Sequence, residues 1–372
     1  MYRRIRAEID LDALRWNLAV AERLAGERAV WPVVKGDAYG HGMLAVARGL
    51  PQARGFCVAD VEEALALRAG GIRTAVLALQ GAWDGASLRA AADAGVSLGV
   101  HEPGQVALVE AHGDALAASA SGLWLEVETG MHRLGVASAE VPALAARLAA
   151  IVGAERVGLM THFACADEPT HPLNARQQET FAALAIDAPG PVSACNSAAL
   201  LTDLYPADGM VRPGIMLYGV SPLGERSAAE LDLAPVMTLR SRLIAVKTVP
   251  AGATVGYGGT WKAPRDTRIG LVAAGYGDGY PRHAPTGTPV RIGAAMVRTV
   301  GRVSMDSLAV DLTDAPEARV GSTVVLWGEG LPVEQVAQAA GTIGYELLTR
   351  IPPRVPRVVL DRTQRGSAGS EP

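Results

Sequence analysis

Val33-Val34-Lys35-Gly36-Asp37-Ala38-Tyr39-Gly40-His41-Gly42 closes an apolar run that begins at Val30. The run ends abruptly in a lysine, and glycines and short polar residues follow at once. This pattern predicts a buried strand that delivers Lys35 to the C-terminal edge of a sheet. The chain has only three lysines, Lys35, Lys247 and Lys262, and its other basic residues are arginines. Arginine would serve for charge and solubility. A lysine at the end of a buried strand points to an amine that must be able to lose its proton. Schiff-base chemistry has that need. A strand-end lysine that snorkels its ammonium to solvent is the competing reading, and the stretch alone leaves both open.

The surrounding sequence supplies a frame for that strand. Ala7 to Asp10 is a short strand candidate. Asp10 or Asp12 can cap the helix that follows, where Leu11, Leu18 and Leu24 mark one face. Short apolar segments then recur: Val30–Val34, Phe56–Ala59, Thr74–Leu79, Val96–Val100, Leu123–Val127, Val157–Met160, Pro191–Ala194 and Ile215–Tyr218. Each is followed by a stretch rich in Ala, Leu, Glu and Arg, at a spacing of roughly 20–35 residues that suits a strand–helix repeat. Eight such units predict an α/β fold, a closed TIM-like (β/α)8 barrel over residues 12–232. Chemistry then belongs just after the strands, at the C-terminal face. Lys35 follows strand one and Asp60 strand two. Glu128 to Arg133 follow strand five, His162 and Phe163 strand six, and Asn196 and Ser197 strand seven. Arg212, Pro213 and Gly214 precede the eighth segment and break the rule. Either that boundary is misplaced or the segment returns toward a ligand.

Near Leu233 the rhythm stops. Short strands separated by Gly and Pro follow: Thr238–Val249, Thr267–Ala274, Val290–Val300, Ser307–Leu312 and Thr323–Trp327, with one clear helix, Val333 to Ala340. A mainly β domain over residues 233–372 is predicted. Residues 1–11 are expected to join it as a strand. The polar tail after Asp361 is expected to fray.

Composition narrows the function classes. Nearly half of the 372 residues, 49%, are hydrophobic and only 19% are charged, which suits a well-buried globular chain. The net charge of −4 is spread through the sequence, with no nucleic-acid footprint. Cys57, Cys165 and Cys195 lie far apart, so neither a disulfide framework nor a metal site is expected, and small core residues are their expected role. The N-terminal residues lack an apolar signal core, and no run reaches membrane length. A soluble, cytoplasmic protein is expected.

The motifs, taken together, resemble those of the alanine racemases, the fold-type III pyridoxal-phosphate enzymes. The likeness rests on the Lys35–Gly42 stretch, Glu128-Thr129-Gly130-Met131-His132-Arg133-Leu134-Gly135, Thr161-His162-Phe163, Asn196-Ser197, and Arg212-Pro213-Gly214-Ile215-Met216-Leu217-Tyr218-Gly219. In the second domain it rests on Gly256-Tyr257-Gly258, Gly275-Tyr276-Gly277-Asp278-Gly279, Gly301-Arg302-Val303-Ser304-Met305-Asp306, Tyr345-Glu346 and Arg354-Val355-Pro356-Arg357. Their order and their distribution over two domains make the resemblance specific.

Racemisation needs the α-proton to leave one face and return on the other, so two acid/base groups must face each other across the substrate. The resemblance implies that Lys35, which also holds pyridoxal 5'-phosphate, is one and Tyr257 the other. It implies a homodimer in which Tyr257 comes from the partner subunit. An unperturbed tyrosine ionises at about pH 10, so a positive environment is needed. Arg212, on the pyridine nitrogen, and His162 match the residues that provide it. An arginine keeps its proton, so the pyridine nitrogen would stay unprotonated and side reactions such as transamination would be fewer. Tyr39, Ser197, Gly214, Ile215 and Tyr345 match the phosphate set, with Asn196 beside them. The substrate carboxylate would meet Arg133 and the Met305 N–H, with Asp306 behind. Tyr276 would narrow the entrance, favouring a side chain as small as the methyl of alanine.

One position departs from the pattern. Many members carry a carbamylated lysine seven residues before the residue matching Arg133, and Glu126 stands there. Either Glu126 supplies the anion directly or it is a strand residue with another partner. The implied function is interconversion of L- and D-alanine, supplying D-alanine for peptidoglycan. A broad-specificity, serine or lysine racemase of the same fold is the main alternative. A decarboxylase or a non-catalytic cofactor carrier fits the second-domain motifs less well.

Overall fold

Asp10 ends a strand and starts a helix in one step. Its Oδ1 accepts from the N–H groups of Asp12 and Ala13 at 2.9 and 3.1 Å, capping the helix Leu11–Ala25. That helix buries Leu11, Leu14, Leu18, Ala21 and Ala25 at three- and four-residue spacings. Leu24 was expected on this face but turns outward and is exposed, because its angular position lies on the far side from Leu11. The computed structural model describes residues 4–207 and 209–362. From residue 363 the tail expected to fray lies outside the described residues.

Six parallel strands form a continuous ladder: Gly55–Val58, Ala75–Ala78, Val96–Val100, Leu123–Glu128, Val157–Met160 and Val192–Ser193. Two short strands, Met210–Val211 and Ala29–Val30, pair in parallel with each other. Backbone bonds close the ring on both sides of that pair. Gly209 N donates to Val192 O at 3.1 Å and Arg212 N to Cys195 O at 2.9 Å. Val34 N donates to Cys57 O and Cys57 N to Pro32 O, at 2.8 and 2.9 Å. The result is the expected (β/α)8 barrel.

The eighth strand is not where the apolar pattern put it. Ile215–Tyr218 is a single 3-10 turn, fully buried, and the strand is Met210–Val211. Arg212, Pro213 and Gly214 therefore follow strand eight and obey the rule that places chemistry after the strands. Strand one is also shorter than expected. Pro32 has no N–H to give the ladder, and pairing resumes only as the Val33 bridge to Cys57.

The second domain is a closed antiparallel ring of Met237–Val249, Thr267–Val272, Leu308–Asp311, Ala295–Thr299, Pro289–Ile292 and Thr323–Trp327. The Val290–Val300 segment, expected as one strand, is a hairpin, turning at Gly293 with φ 60°. The strand Met237–Val249 is long enough to pair at one end with Arg6–Asp10, which in turn pairs in parallel with Arg357–Leu360. The helix Val333–Ala340 matches expectation, and a second, Gly344–Thr349, carries Tyr345. One apolar core runs from the barrel into this domain. Buried Asn17 helps to join them: its Nδ2 donates to Leu217 O and Ala234 O, and its Oδ1 accepts from Ala234 N, all within 3.0 Å.

Candidate active site

Lys35 lies at the C-terminal mouth of the barrel, half-buried, directly after the strand-one bridge. Burial, and after it the Arg133 guanidinium, holds its ammonium below the ordinary lysine range; Arg212 acts in the same sense. A larger fraction of this amine is therefore neutral than of an exposed lysine at the same pH.

The chain leaves Lys35 through an unusual turn. Gly36, Asp37, Ala38, Tyr39 and Gly40 all have left-handed φ values, from 52° to 80°. For the three non-glycines this costs about 1–2 kcal/mol each, so the turn must be held by its surroundings. The Glu63 carboxylate accepts from Gly36 N at 2.7 Å and Ala59 N at 2.8 Å, and Asp37 Oδ1 accepts from Met43 N at 2.8 Å. Arg357 from the β domain donates to Gly40 O at 3.1 Å. A Cβ at Gly40 would collide with Leu348 O, so the domains meet here over bare backbone.

The turn aims Tyr39 at strand eight. The Tyr39 hydroxyl sits against Gly214, where an added Cβ would overlap it. Ser197 Oγ accepts from Gly214 N at 2.8 Å and Met216 N at 3.3 Å, tying Ile215 and its neighbours to the Ser197–Leu201 turn. The Tyr345 ring lies 6.1 Å from that of Tyr39, and burial pushes its phenol up to about 12. Both phenols are held protonated by burial. The Ser197 and Tyr39 hydroxyls and the Gly214 and Met216 N–H groups thus meet around Gly214.

Arg212 is buried, with one guanidinium nitrogen donating to Thr161 O at 2.7 Å and another to Ser193 Oγ. His162 is half-buried, and Asn196 Nδ2 lies 3.3 Å from its Nε2. Burial, followed by the charges of Arg212, Arg133 and Lys35, pushes this imidazole down to about 3, so it is neutral at physiological pH. Glu126 is buried on strand five, in register with Met160 and one step past the Val100–Leu125 pair that leads to His101. Burial raises its carboxyl, against the pull of Arg212, Arg133 and His101. Arg133 is exposed, and among the described residues its guanidinium makes no hydrogen bond. Its carboxylate-binding fork is free for a ligand.

The remaining expected residues stand apart. Tyr257 is 69% exposed, Met305 53% and Tyr276 37%, all on loops of the β domain. Tyr276 N donates to Ser304 O and Gly277 N to Met305 O, at 3.0 and 2.9 Å, so these two loops form one platform. Arg354 clamps it from behind, binding Asp278 at 2.9 Å and Asp306 at 2.5 Å. Among the described residues, no hydrogen bond, ion pair or ring contact joins Tyr257, Tyr276 or Met305 to the barrel cluster.

Comparison with known proteins decides the family. Residues 9–222 match the family described as "Alanine racemase, N-terminal domain", and residues 236–359 match "Alanine racemase, C-terminal domain". The chain belongs to the alanine racemase family. The biosynthetic alanine racemase of Pseudomonas aeruginosa is 47% identical over 94% of this chain and 98% of its own length. The alanine racemase of Shewanella loihica is 46% identical over 94% of this chain and 97% of its own. Among solved structures, that of the P. aeruginosa biosynthetic alanine racemase superposes with a TM-score of 0.92, covering 96% of this chain and all of that one at 46% identity. An alanine racemase from Bartonella henselae, described with covalently bound pyridoxal phosphate, superposes with a TM-score of 0.87 at 28% identity, covering 96% and 99% of the two chains.

Several residues that build this alanine racemase-like site were not singled out from sequence. Glu63 and Gln177 are two: Gln177 Nε2 binds Thr129 Oγ1 and His162 O, each at 2.9 Å. Ser193 is a third, holding Arg212. Each sits in a helix or strand with nothing local to mark it. Tyr218 lay inside a quoted motif, and its role emerges only from its partners.

Proposed function

We propose that this protein is an alanine racemase that uses pyridoxal 5'-phosphate and two opposed proton-transfer groups, Lys35 and Tyr257. The observation that carries the reading is a strand-end amine with a lowered pKa, set beside a buried arginine, with the Tyr39 and Ser197 hydroxyls meeting at Gly214. The cofactor fits these residues. Lys35 offers a nucleophilic amine. Tyr39, Tyr345 and Ser197 offer neutral donors, and Gly214, with no side chain, lets the Tyr39 hydroxyl come close to the backbone beside Ser197. Arg212, fixed by Thr161 and Ser193, would meet the pyridine nitrogen, with His162 and Asn196 beside it. When bound, the cofactor ring takes up the electron pair left behind as the α-proton departs.

The protein's own groups do the rest. Arg133 binds the substrate carboxylate, helped by the Met305 N–H, and so fixes which hydrogen points at a base. The Lys35 amine takes or returns the α-proton on one face and the Tyr257 hydroxyl does so on the other. Glu126 balances Arg133 as a buried anion. Tyr276, with Asp306 behind Met305, narrows the approach and selects a small side chain.

Tyr257, Tyr276 and Met305 are exposed on the β domain, apart from the barrel cluster of their own chain. This supports a homodimer in which each β domain completes the partner's site. The product D-alanine would serve peptidoglycan synthesis, with the enzyme in the cytoplasm. The test is racemisation by purified protein over alanine, serine and lysine, with borohydride reduction to fix the cofactor on Lys35. Alanine is expected to be the preferred substrate. Equal rates for serine or lysine would overturn the substrate assignment, and no label on Lys35 would overturn the cofactor reading.

A further inference from the structure

The left-handed turn after Lys35 is also held from inside, by a residue that no step above uses. His41 is fully buried. Its Nδ1 lies 2.9 Å from Ala38 O and 3.0 Å from Tyr39 O, the carbonyls of two left-handed residues. Two acceptors at one ring nitrogen place the proton there, so Nδ1–H donates to both. The other nitrogen, Nε2, is buried and, among the described residues, has no hydrogen-bond partner. A proton on it would be an unsatisfied buried donor as well as a buried charge.

The ring face of His41 has a second task. It stacks on Tyr218 at 4.5 Å, and Tyr218 lies 4.8 Å from the Tyr39 ring. The Tyr218 hydroxyl donates to Val33 O at 2.9 Å, two residues before Lys35. One imidazole therefore reaches the turn directly and reaches the strand end and the Tyr39 ring through Tyr218. Arg357, whose Nε donates to Gly40 O, is the neighbouring charge that bears on it; with burial, the larger cause, it pushes the imidazole down to about 4. The Ala38 and Tyr39 carbonyls act in the opposite sense.

We propose that His41 is a positioning residue for the cofactor: its Nδ1–H tautomer locks the left-handed turn and so sets the direction of the Lys35 amine and the position of the Tyr39 hydroxyl against Gly214. The proposal rests on the cofactor reading above. It implies that loss of the Nδ1–H donor weakens cofactor binding even when the volume and the stacking are kept.

The experiment titrates cofactor-stripped full-length protein with pyridoxal phosphate, following the visible absorbance band, beside a thermal melt of each variant. His41→Asn keeps an amide donor near the Nδ1 position and is expected to bind within about threefold of the parent. His41→Phe keeps the ring but loses the donor and is expected to bind about 10- to 100-fold more weakly. Tyr218→Phe keeps both stacks, loses only the Val33 bond, and is expected to weaken binding about 3- to 10-fold, which tests the network should His41→Phe not fold. Unchanged affinity in His41→Phe, equal losses in His41→Asn and His41→Phe, or unchanged affinity in Tyr218→Phe would overturn the proposal. Failure of the parent protein to take up pyridoxal phosphate would instead strike the cofactor reading.

Discussion

Lys35 and Tyr257 sit in opposite settings. Around Lys35 the barrel is finished: the turn is pinned at Glu63, Asp37 and Arg357, Arg212 is buried and bonded, and Ser197 is tied to Gly214. Around Tyr257 almost nothing is finished, for the side chain is 69% exposed on a glycine-flanked 3-10 turn. A proton acceptor that must be desolvated is a poor candidate for an open surface. The difference teaches that the barrel half is assembled within one chain, whereas the β-domain half is a surface that gains its chemical setting on meeting something else. In the homodimer proposed above, a second copy presenting its barrel mouth would supply that setting with the closed symmetry of a two-fold dimer.

The comparison can be broken most forcefully at Lys35. Lys35→Ala is expected to lower kcat by at least about a thousandfold and to abolish the visible cofactor band, because nucleophile and base are lost together. Retained racemase activity would remove the barrel half from the mechanism. Next in size is Tyr257→Phe, expected to lower kcat by about 100- to 1,000-fold, with solvent deuterium entering the two enantiomers unequally. Mixing Lys35→Ala chains with Tyr257→Phe chains sharpens the point. If sites are shared, half of the dimers carry one intact site, and about a quarter of parental activity returns. No recovery after subunit exchange would place both residues in one chain.

Gly214→Ala probes the finished half more gently. The new methyl would overlap the Tyr39 hydroxyl, and pyridoxal phosphate is expected to bind about 10- to 100-fold more weakly. Unchanged binding would mean that Tyr39 and Gly214 do not share the phosphate. The smallest effect is expected from Glu126→Gln. Burial raises the folded-state pKa of Glu126 above its unfolded value. The contribution of this group to stability is then greatest in acid and is lost as pH rises through the folded value. Replacing the buried charge by an amide is expected to raise the melting temperature at neutral pH by roughly 1–3 °C. The KM for alanine should rise about 3- to 10-fold, as Arg133 loses its counter-charge. An unchanged KM would make Glu126 a strand residue with no part in substrate binding.

The sequence made the barrel legible where strands are four or more residues long and apolar throughout, as at Ala75–Ala78 and Val157–Met160. It misled where the ladder is short. Met210–Val211 is too brief to leave an apolar run, and the neighbouring Ile215–Tyr218 is apolar because it is buried, not because it is extended. The candidate site was legible wherever a motif carried its own residues, as for Lys35, Arg133 and Arg212. Glu63, Gln177 and Ser193 were not, because their roles are set by partners remote in sequence and by no local pattern. The left-handed turn also escaped notice. Glycine at 36 and 40 hints at it, but Asp37, Ala38 and Tyr39 adopt it only because the fold around them leaves no alternative.

That turn ties the lysine to the order in which the chain is made. Tyr345, Leu348 and Arg357, which pack on it or bond to it, are synthesised more than 300 residues after Lys35 itself. A nascent or truncated barrel therefore has its reactive amine without the frame that aims it. Fragments that stop before Tyr345 are expected to bind pyridoxal phosphate more weakly than the full chain, as an absorbance titration would show.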